Sequence, residues 1–457
     1  MNAAIGRRSV IASLGAGAGL SLLGTALGAE TTTLRVRREI GDLEKSFPAE
    51  LDLFRRAVAA MTSSAAGKSA WERNAEIHAA HCGVGPGAEI HRTIRFLPWH
   101  RAFLWMTERN LQHAVGSEQV ALPYWHWPVA RGVPGSFRSG ALSHPRANLH
   151  LGAADYQYAQ AMDSTDRYVG ELETVSGRTV VRQIGFGGYP GDFALSALEG
   201  TPHGSVHNRI GNDTTAGVQH DMGNIRWSPR DPIFFGHHGN LDRLWEIWRG
   251  AAGSKQRGTE PWTDSAFANA SFSFFDLSTG LTRPVRLVET RDLAELGYRY
   301  APPGEGPTGS PAAAVAGTRQ STAPVAPDPS ELGAPLASGD AALSSGSLGA
   351  SSGFPAATRA ILTIRGISVP RDRGVTVAVY LTRRDVPFKA SDAHFAGMTA
   401  VVSQPTASTV SVAMDVTAAL RATRIDKGKV TVVLVPVGER SGRALAIEGY
   451  DIRVTPR

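Results

Sequence analysis

Between about Thr31 and Tyr300, apolar residues recur at three- and four-residue spacing, as in "ELDLFRRAVAAM" and "WHRAFLWMTERNLQHAV". That period places them on one side of a helix, so the pattern predicts a mainly helical domain with long connecting loops. The stretch "DPIFFGHHGNLDRLWEIW" predicts a further helix beginning near Asp231, with His238, Leu241, Trp245 and Trp248 along an inward stripe. Its second histidine then points inward, and its neighbour His237 lies about 100° round the helix. From Ala301 to about Ser352 the chain is built of Pro, Ala, Gly and Ser with no aromatic residue, a composition that cannot bury a core and predicts a flexible linker. Treated as a coil, it spans on the order of 40 Å, long enough for the C-terminal part to fold back on the helical part. Beyond it, "RAILTIRGI", "VTVAVYLTRR", "STVSVAMDVT", "KVTVVLVPVG" and "AIEGYDIRV" alternate with period two between turn residues. These predict a small antiparallel β-sandwich.

Composition adds bounds to this picture. The 457 residues suggest two or three domains. A content of 42% apolar and 19% charged residues fits an ordinary globular protein. The net charge of +6 raises the question of a polyanionic partner, yet the arginines form no basic tract, which argues against nucleic acid. The lone cysteine, Cys82, excludes an internal disulfide and any thiolate cluster, so a metal here must rely on imidazole or carboxylate. At the start, Arg7 and Arg8 precede a glycine-rich, mildly apolar run ending in small residues near Ala26 to Ala29. This reads as a twin-arginine signal peptide and implies export to the periplasm or beyond, with no stable membrane insertion after processing. The expected organisation is a signal over 1–29, a helical domain over 30–300, a linker over 301–352 and a sandwich over 353–457.

Thirteen of the fourteen histidines fall between His78 and His238, which points to one histidine-rich site. In "EGTPHGSVHNRIG", His203 and His207 are four apart and share a helix face, with Pro202 in the first turn. Asp242, one turn beyond His238, is placed to accept a hydrogen bond from a ligand imidazole. In "EIHAAHCGVGPGAEIHRTIRFLPWHRAFLWMTE", Pro98 marks a helix start, His100 lies in its first turn and His91 on the approach, while His78 and His81 compete for a third position. Six neutral imidazoles with no carboxylate ligand favour copper over magnesium, calcium or di-iron.

The stretches "HRTIRFLPWHRAFLWMTE", "LPYWHW", "EGTPHGSVH", "DMGNIRWSPRDPIFFGHHGNLDRLW" and "LGYRY" together resemble the tyrosinase and polyphenol oxidase family of type-three copper proteins. The resemblance implies a four-helix-bundle dicopper core and two copper ions, one on His78, His91 and His100 and the other on His203, His207 and His238. The plant-type pattern His-x-x-x-Cys, met by His78 and Cys82, implies a thioether between Cys82 and His91 and favours His78 over His81. Glu199 stands at the place of the family's water-holding glutamate. Ile225 replaces a common phenylalanine, implying a roomier entrance, and Gly204 replaces the asparagine of several efficient hydroxylases. Asn208, following His207, completes the expected surroundings of the second copper. His126 replaces a common asparagine, and the disulfides of plant members are absent. The implied activity is oxidation of o-diphenols to o-quinones by dioxygen, with o-hydroxylation of monophenols open. A haemocyanin-like dioxygen carrier uses the same six histidines and is the alternative. The terminal strands, notably "DAHFAGM", resemble the C-terminal domain that keeps plant and fungal proenzymes latent.

Overall fold

The computed structural model describes residues 34–63, 69–82, 90–152, 198–251, 265–307, 326–345, 358–403, 409–423, 430–438 and 444–456, except 94, 128, 214, 216, 217 and 385, together with 155, 171–175, 178–182, 194–195 and 262. The expected signal segment and parts of the expected linker lie outside these residues. Among the described residues, no helix is long and apolar enough to cross a membrane.

Strand β1 (Arg35–Arg37) leads into helices α1 (Ile40–Ser46), α2 (Pro48–Thr62), α3 (Ala70–His81) and α4 (Phe96–Val115). Proline at its first position starts α2 without losing a needed donor, and Leu51, Phe54, Ala57, Val58 and Met61 form its buried stripe. Ser69 caps α3 by accepting the Glu72 amide at 3.2 Å. Helix α4 ends on Gly116, whose φ of 62° supplies the left-handed residue that closes a helix C-terminus. After two short strands, β2 (Glu171–Val175) and β3 (Arg178–Arg182), and the two-residue β4 (Ala194–Leu195), a wide helical turn over Glu199–Gly204 runs into α5 (Ser205–Gly211). Helix α6 (Ile233–Ala251) starts two residues after the expected Asp231, because Asp231 is its cap, accepting the Ile233 amide at 3.0 Å. A short α7 (Ser265–Ala268), the hairpin β5 (Ser271–Asp276) with β6 (Leu281–Arg286), and β7 (Tyr298–Tyr300) complete this part. Strand β7 pairs parallel with β1, so the first and last segments of the helical part close on each other.

Asp242 corrects an expectation at this closure. Its carboxylate accepts from Arg101 Nε at 2.6 Å, the Tyr298 hydroxyl at 2.9 Å and the Tyr300 hydroxyl at 2.7 Å, while Arg37 stands 3.7 Å away. It ties α6 to α4 and to β7 instead of supporting a histidine, because two buried arginines need a counter-charge there.

The remaining strands are β8 (Ala337–Ser345), β9 (Thr358–Ser368), β10 (Val375–Arg383), β11 (Phe395–Val401), β12 (Thr409–Asp415), β13 (Val430–Pro436) and β14 (Gly449–Pro456), with a short helix α8 (Thr417–Thr423). With β4 they form one eight-stranded sheet in the order β11-β10-β13-β8-β14-β9-β12-β4. Its two halves share a core in which Val377, Val379 and Leu434 meet Leu362, Ile364, Val412 and Ile452. Two expectations change here. The pairings of β8 with β14 and of β12 with β4 are parallel, so the sheet is mixed, not antiparallel throughout. Strand β8 also lies within the expected linker, hydrogen-bonded to β13 and β14. A strand flanked on both sides contributes backbone bonds more than side-chain bulk, so its small residues concealed it. Strands β10 and β11 bury both faces, since a second cluster including Tyr380, Phe395, Met398 and Val435 covers the outer side.

Candidate metal centre

Helices α3, α4, α5 and α6 and their approaches bring two groups of imidazoles together in the core. His78, His91 and His100 form one, and His203, His207, His237 and His238 form the other, each with ring nitrogens within 4.8 Å of one another. All seven are at most 4% exposed. His81 is absent from the first group, because its ring packs edge-on against Trp99 and Phe272.

Backbone carbonyls set the rings. The Nδ1 atom of His100 donates to Phe96 O at 2.7 Å, that of His203 to Glu199 O at 3.0 Å, and that of His207 to Met222 O at 2.9 Å. The His78 Nδ1 lies 3.3 Å from Arg226 O. A neutral imidazole carries one N–H, so each of these bonds leaves Nε2 as a lone pair pointing inward. The inward atoms converge, with His78 Nε2 3.4 Å from His100 Nε2 and His207 Nε2 3.2 Å from His238 Nε2. The Nε2 of His203 is buried with no hydrogen-bond partner. The two groups face each other through His100 and His238, stacked with centroids 4.5 Å apart.

Burial, with the neighbouring imidazoles adding to it, holds His78, His100, His203, His237 and His238 well below the usual imidazole range. Burial also pushes His207 down to about 3. Buried neutral nitrogens with inward lone pairs are a donor set suited to a soft or borderline transition metal.

His237 and His238 both come within reach of the second group, and their hydrogen bonds differ. The Trp127 indole N–H donates to His237 Nδ1 at 3.0 Å. With that lone pair engaged, a neutral His237 carries its proton on Nε2 and offers no lone pair there. His238, stacked on Phe234 with centroids 4.0 Å apart, faces His207 with Nε2. Trp127 was missed by sequence reasoning; only its position in "LPYWHW" signals it.

Cys82 is fully buried, with Sγ 3.5 Å from His91 Nδ1 and 3.3 Å from His78 Nδ1. The Oε1 of Glu199 accepts the Arg92 amide at 2.5 Å, joining the approach to α4 with the turn before α5. A small pocket is lined by His91, Arg92, Glu199 and His203 from the helical part and by Val369, Ala400, Val401, Val402 and Val410 from the sheet. Gly204 lies beneath β11, and a Cβ there would stand 3.1 Å from Ala400 Cβ. Ile225 is buried in the loop that supplies the Arg226 carbonyl, and its own carbonyl accepts from Ser228. Asn208 departs from expectation: its Nδ2 donates to Thr376 Oγ1 at 3.4 Å, so its side chain faces the sheet and not the imidazoles. His126 is buried near Glu39, whose carboxylate accepts its amide at 3.4 Å.

Residues 68–180 and 155–251 match the family model for the common central domain of tyrosinase. Polyphenol oxidase II of Ipomoea batatas is 31% identical over 303 residues, 59% of this chain and 50% of that one. The (+)-larreatricin hydroxylase of Larrea tridentata is 29% identical over 283 residues, 55% of this chain and 47% of that one. The chain spans about half the length of the curated relatives it matches. Latent apple tyrosinase shares the fold at a TM-score of 0.62 and 24% identity, covering 93% of this chain and 97% of that one. Latent aurone synthase does so at 0.62 and 22%, covering 93% and 90%.

Proposed function

We propose, on the match to the common central domain of tyrosinase and the likeness to plant polyphenol oxidases, that this chain is a member of the tyrosinase and polyphenol oxidase family and oxidises o-diphenols to o-quinones with dioxygen. The proposed centre takes two copper ions, one on His78, His91 and His100 and the other on His203, His207 and His238, with α3, α4, α5 and α6 as its four-helix core. The observation that carries the reading is the pair of facing, buried histidine groups, in which the Nδ1 atoms of His100, His203 and His207 are tied to backbone carbonyls and leave Nε2 as the free lone pair. When bound, the copper pair supplies the dioxygen site and the two one-electron acceptors that conversion of a catechol to a quinone needs.

The chain's own residues supply the rest. Carbonyls orient the rings, and Phe96 and Phe234 pack against them and exclude water. Glu199 is the base, holding a phenol proton at Oε2 while the Arg92 amide anchors Oε1. Gly204 offers no side chain beside the second trio, which fits catechol oxidation better than strong monophenol hydroxylation. Cys82 is assigned a thioether to His91 on the family resemblance; its Sγ lies 3.5 Å from His91 Nδ1 and 3.3 Å from His78 Nδ1. The terminal sheet is assigned a covering role, supported by its share of the pocket lining. Residues 1–29 are assigned to twin-arginine export, whereas the named plant relatives are chloroplastic.

Oxygen-electrode traces of copper-loaded protein with catechol, tyramine and tyrosine, before and after limited proteolysis, test this reading. Sustained oxygen uptake with catechol, rising after cleavage, is expected. Stoichiometric uptake that stops after one binding event would identify a carrier and overturn the enzyme assignment.

A further inference from the structure

We propose that the C-terminal sheet braces the second histidine trio, positioning His203 and His207 through the backbone carbonyls that orient their rings, as well as lying over the pocket. The inference rests on the reading that these two and His238 hold a metal ion.

The carbonyl acceptors of His203 and His207 are Glu199 O and Met222 O, and both belong to segments that the sheet touches. Over the Glu199–Gly204 turn lies β11. A Cβ at Gly200 would stand 2.5 Å from Thr399 Oγ1, and one at Gly204 3.1 Å from Ala400 Cβ and 3.3 Å from Val402 Cγ1. A side chain at Gly200 would force Thr399 to move and one at Gly204 would crowd Ala400 and Val402, so the turn is packed closely against the strand. On the Met222 side, Ser403 donates to Gly223 O at 3.4 Å and accepts from Gln219 Nε2 at 2.9 Å. Helix α5 between these segments is held too. Asn208 reaches Thr376, and Asn212 donates to Gly374 O at 3.0 Å.

Two members of the first trio are anchored otherwise. His100 bonds to Phe96 O within its own helix, and His78 lies against Arg226 O. Among the described residues, no hydrogen bond joins Phe96 or Arg226 to the sheet. Loss of a group that orients a ligand imidazole costs about 10–100-fold in metal affinity. The sheet does reach the first trio at His91, which shares the pocket with Ala400 and whose neighbour Arg92 bonds to Glu199. It lies against two ring-orienting carbonyl segments only in the second trio, so the brace concerns that metal site more than the other.

The test uses the full chain loaded with copper and two variants, Ala400→Arg, which cannot fit against Gly204, and Ala400→Ser, which can. Copper remaining during dialysis against a chelator is followed by metal analysis. In Ala400→Arg one of the two equivalents is expected to leave about 10-fold faster than in the parent, with the other unchanged and Ala400→Ser behaving as the parent. Retention of both equivalents with faster catechol turnover would mean a cover only, and equal acceleration of both would mean general loosening; either overturns the brace. Hydrogen exchange on the metal-free proteins gives a second reading. Faster exchange over 199–223, with 70–81 and 96–115 unchanged, is expected in Ala400→Arg, and unchanged exchange over 199–223 overturns the proposal. A parent chain that takes up no copper would sink the functional reading, while the exchange measurement still judges the brace by itself.

Discussion

Replacing Asp242 by alanine separates a structural role from support of a metal ligand. The carboxylate is 3% exposed and accepts three hydrogen bonds, from Arg101 Nε at 2.6 Å and from the hydroxyls of Tyr298 and Tyr300 at 2.9 and 2.7 Å. Truncation leaves the fully buried Arg101 to pair with Glu246 at 3.2 Å, an acid that is itself partly exposed. Removing one partner of a buried ion pair costs about 3–5 kcal/mol, most of it from the stranded charge. Taking an unfolding entropy of about 2.1 cal/mol/K per residue over the roughly 270 residues of the helical part, this lowers Tm by about 5–9 °C. Thermal scans at matched rates on metal-free and copper-loaded Asp242→Ala should show that fall in both forms. Copper stoichiometry and catechol turnover at low temperature should match the parent. A variant with normal metal-free Tm but weakened copper binding would refute the reasoning and restore Asp242 as a support for a ligand ring.

Three further outcomes are expected. His238→Ala should lose about one copper equivalent and quinone formation, whereas His237→Ala should keep both coppers; the reverse would break the tautomer argument built on Trp127. Glu199→Gln should reduce monophenol turnover about 100-fold or more and catechol turnover less, with equal losses counting against Glu199 as the phenol base. The metal-free protein should lose stability as pH falls below about 6.5, the ordinary imidazole value. The folded imidazoles are held neutral by burial while the unfolded chain takes up protons, so each contributes a slope of about 1.4 kcal/mol per pH unit. Urea midpoints that stay flat between pH 7 and pH 5 would contradict this.

Local pattern carried most of the helical part. The three- and four-residue period of α2 appears as a buried face, because a helix needs only its own residues to declare which side is apolar, whereas α4 and the first part of α6 lie deeper and are buried on most sides. The six histidines were legible as residue types at suitable spacings, and their convergence in two groups follows from α3, α4, α5 and α6 sharing one core. Strand β8 was not legible, since a central strand is defined by its neighbours' backbones and not by its own bulk. Asp242, Asn208 and His237 were beyond sequence as well. Whether an acid four residues from its neighbour faces a ring or an arginine, and which nitrogen of an imidazole keeps its proton, depends on partners distant in the chain: Arg101, Thr376 and Trp127. Periodicity marks the apolar side of a helix; only the packed chain decides which charged and polar groups are buried with it and which of them meet.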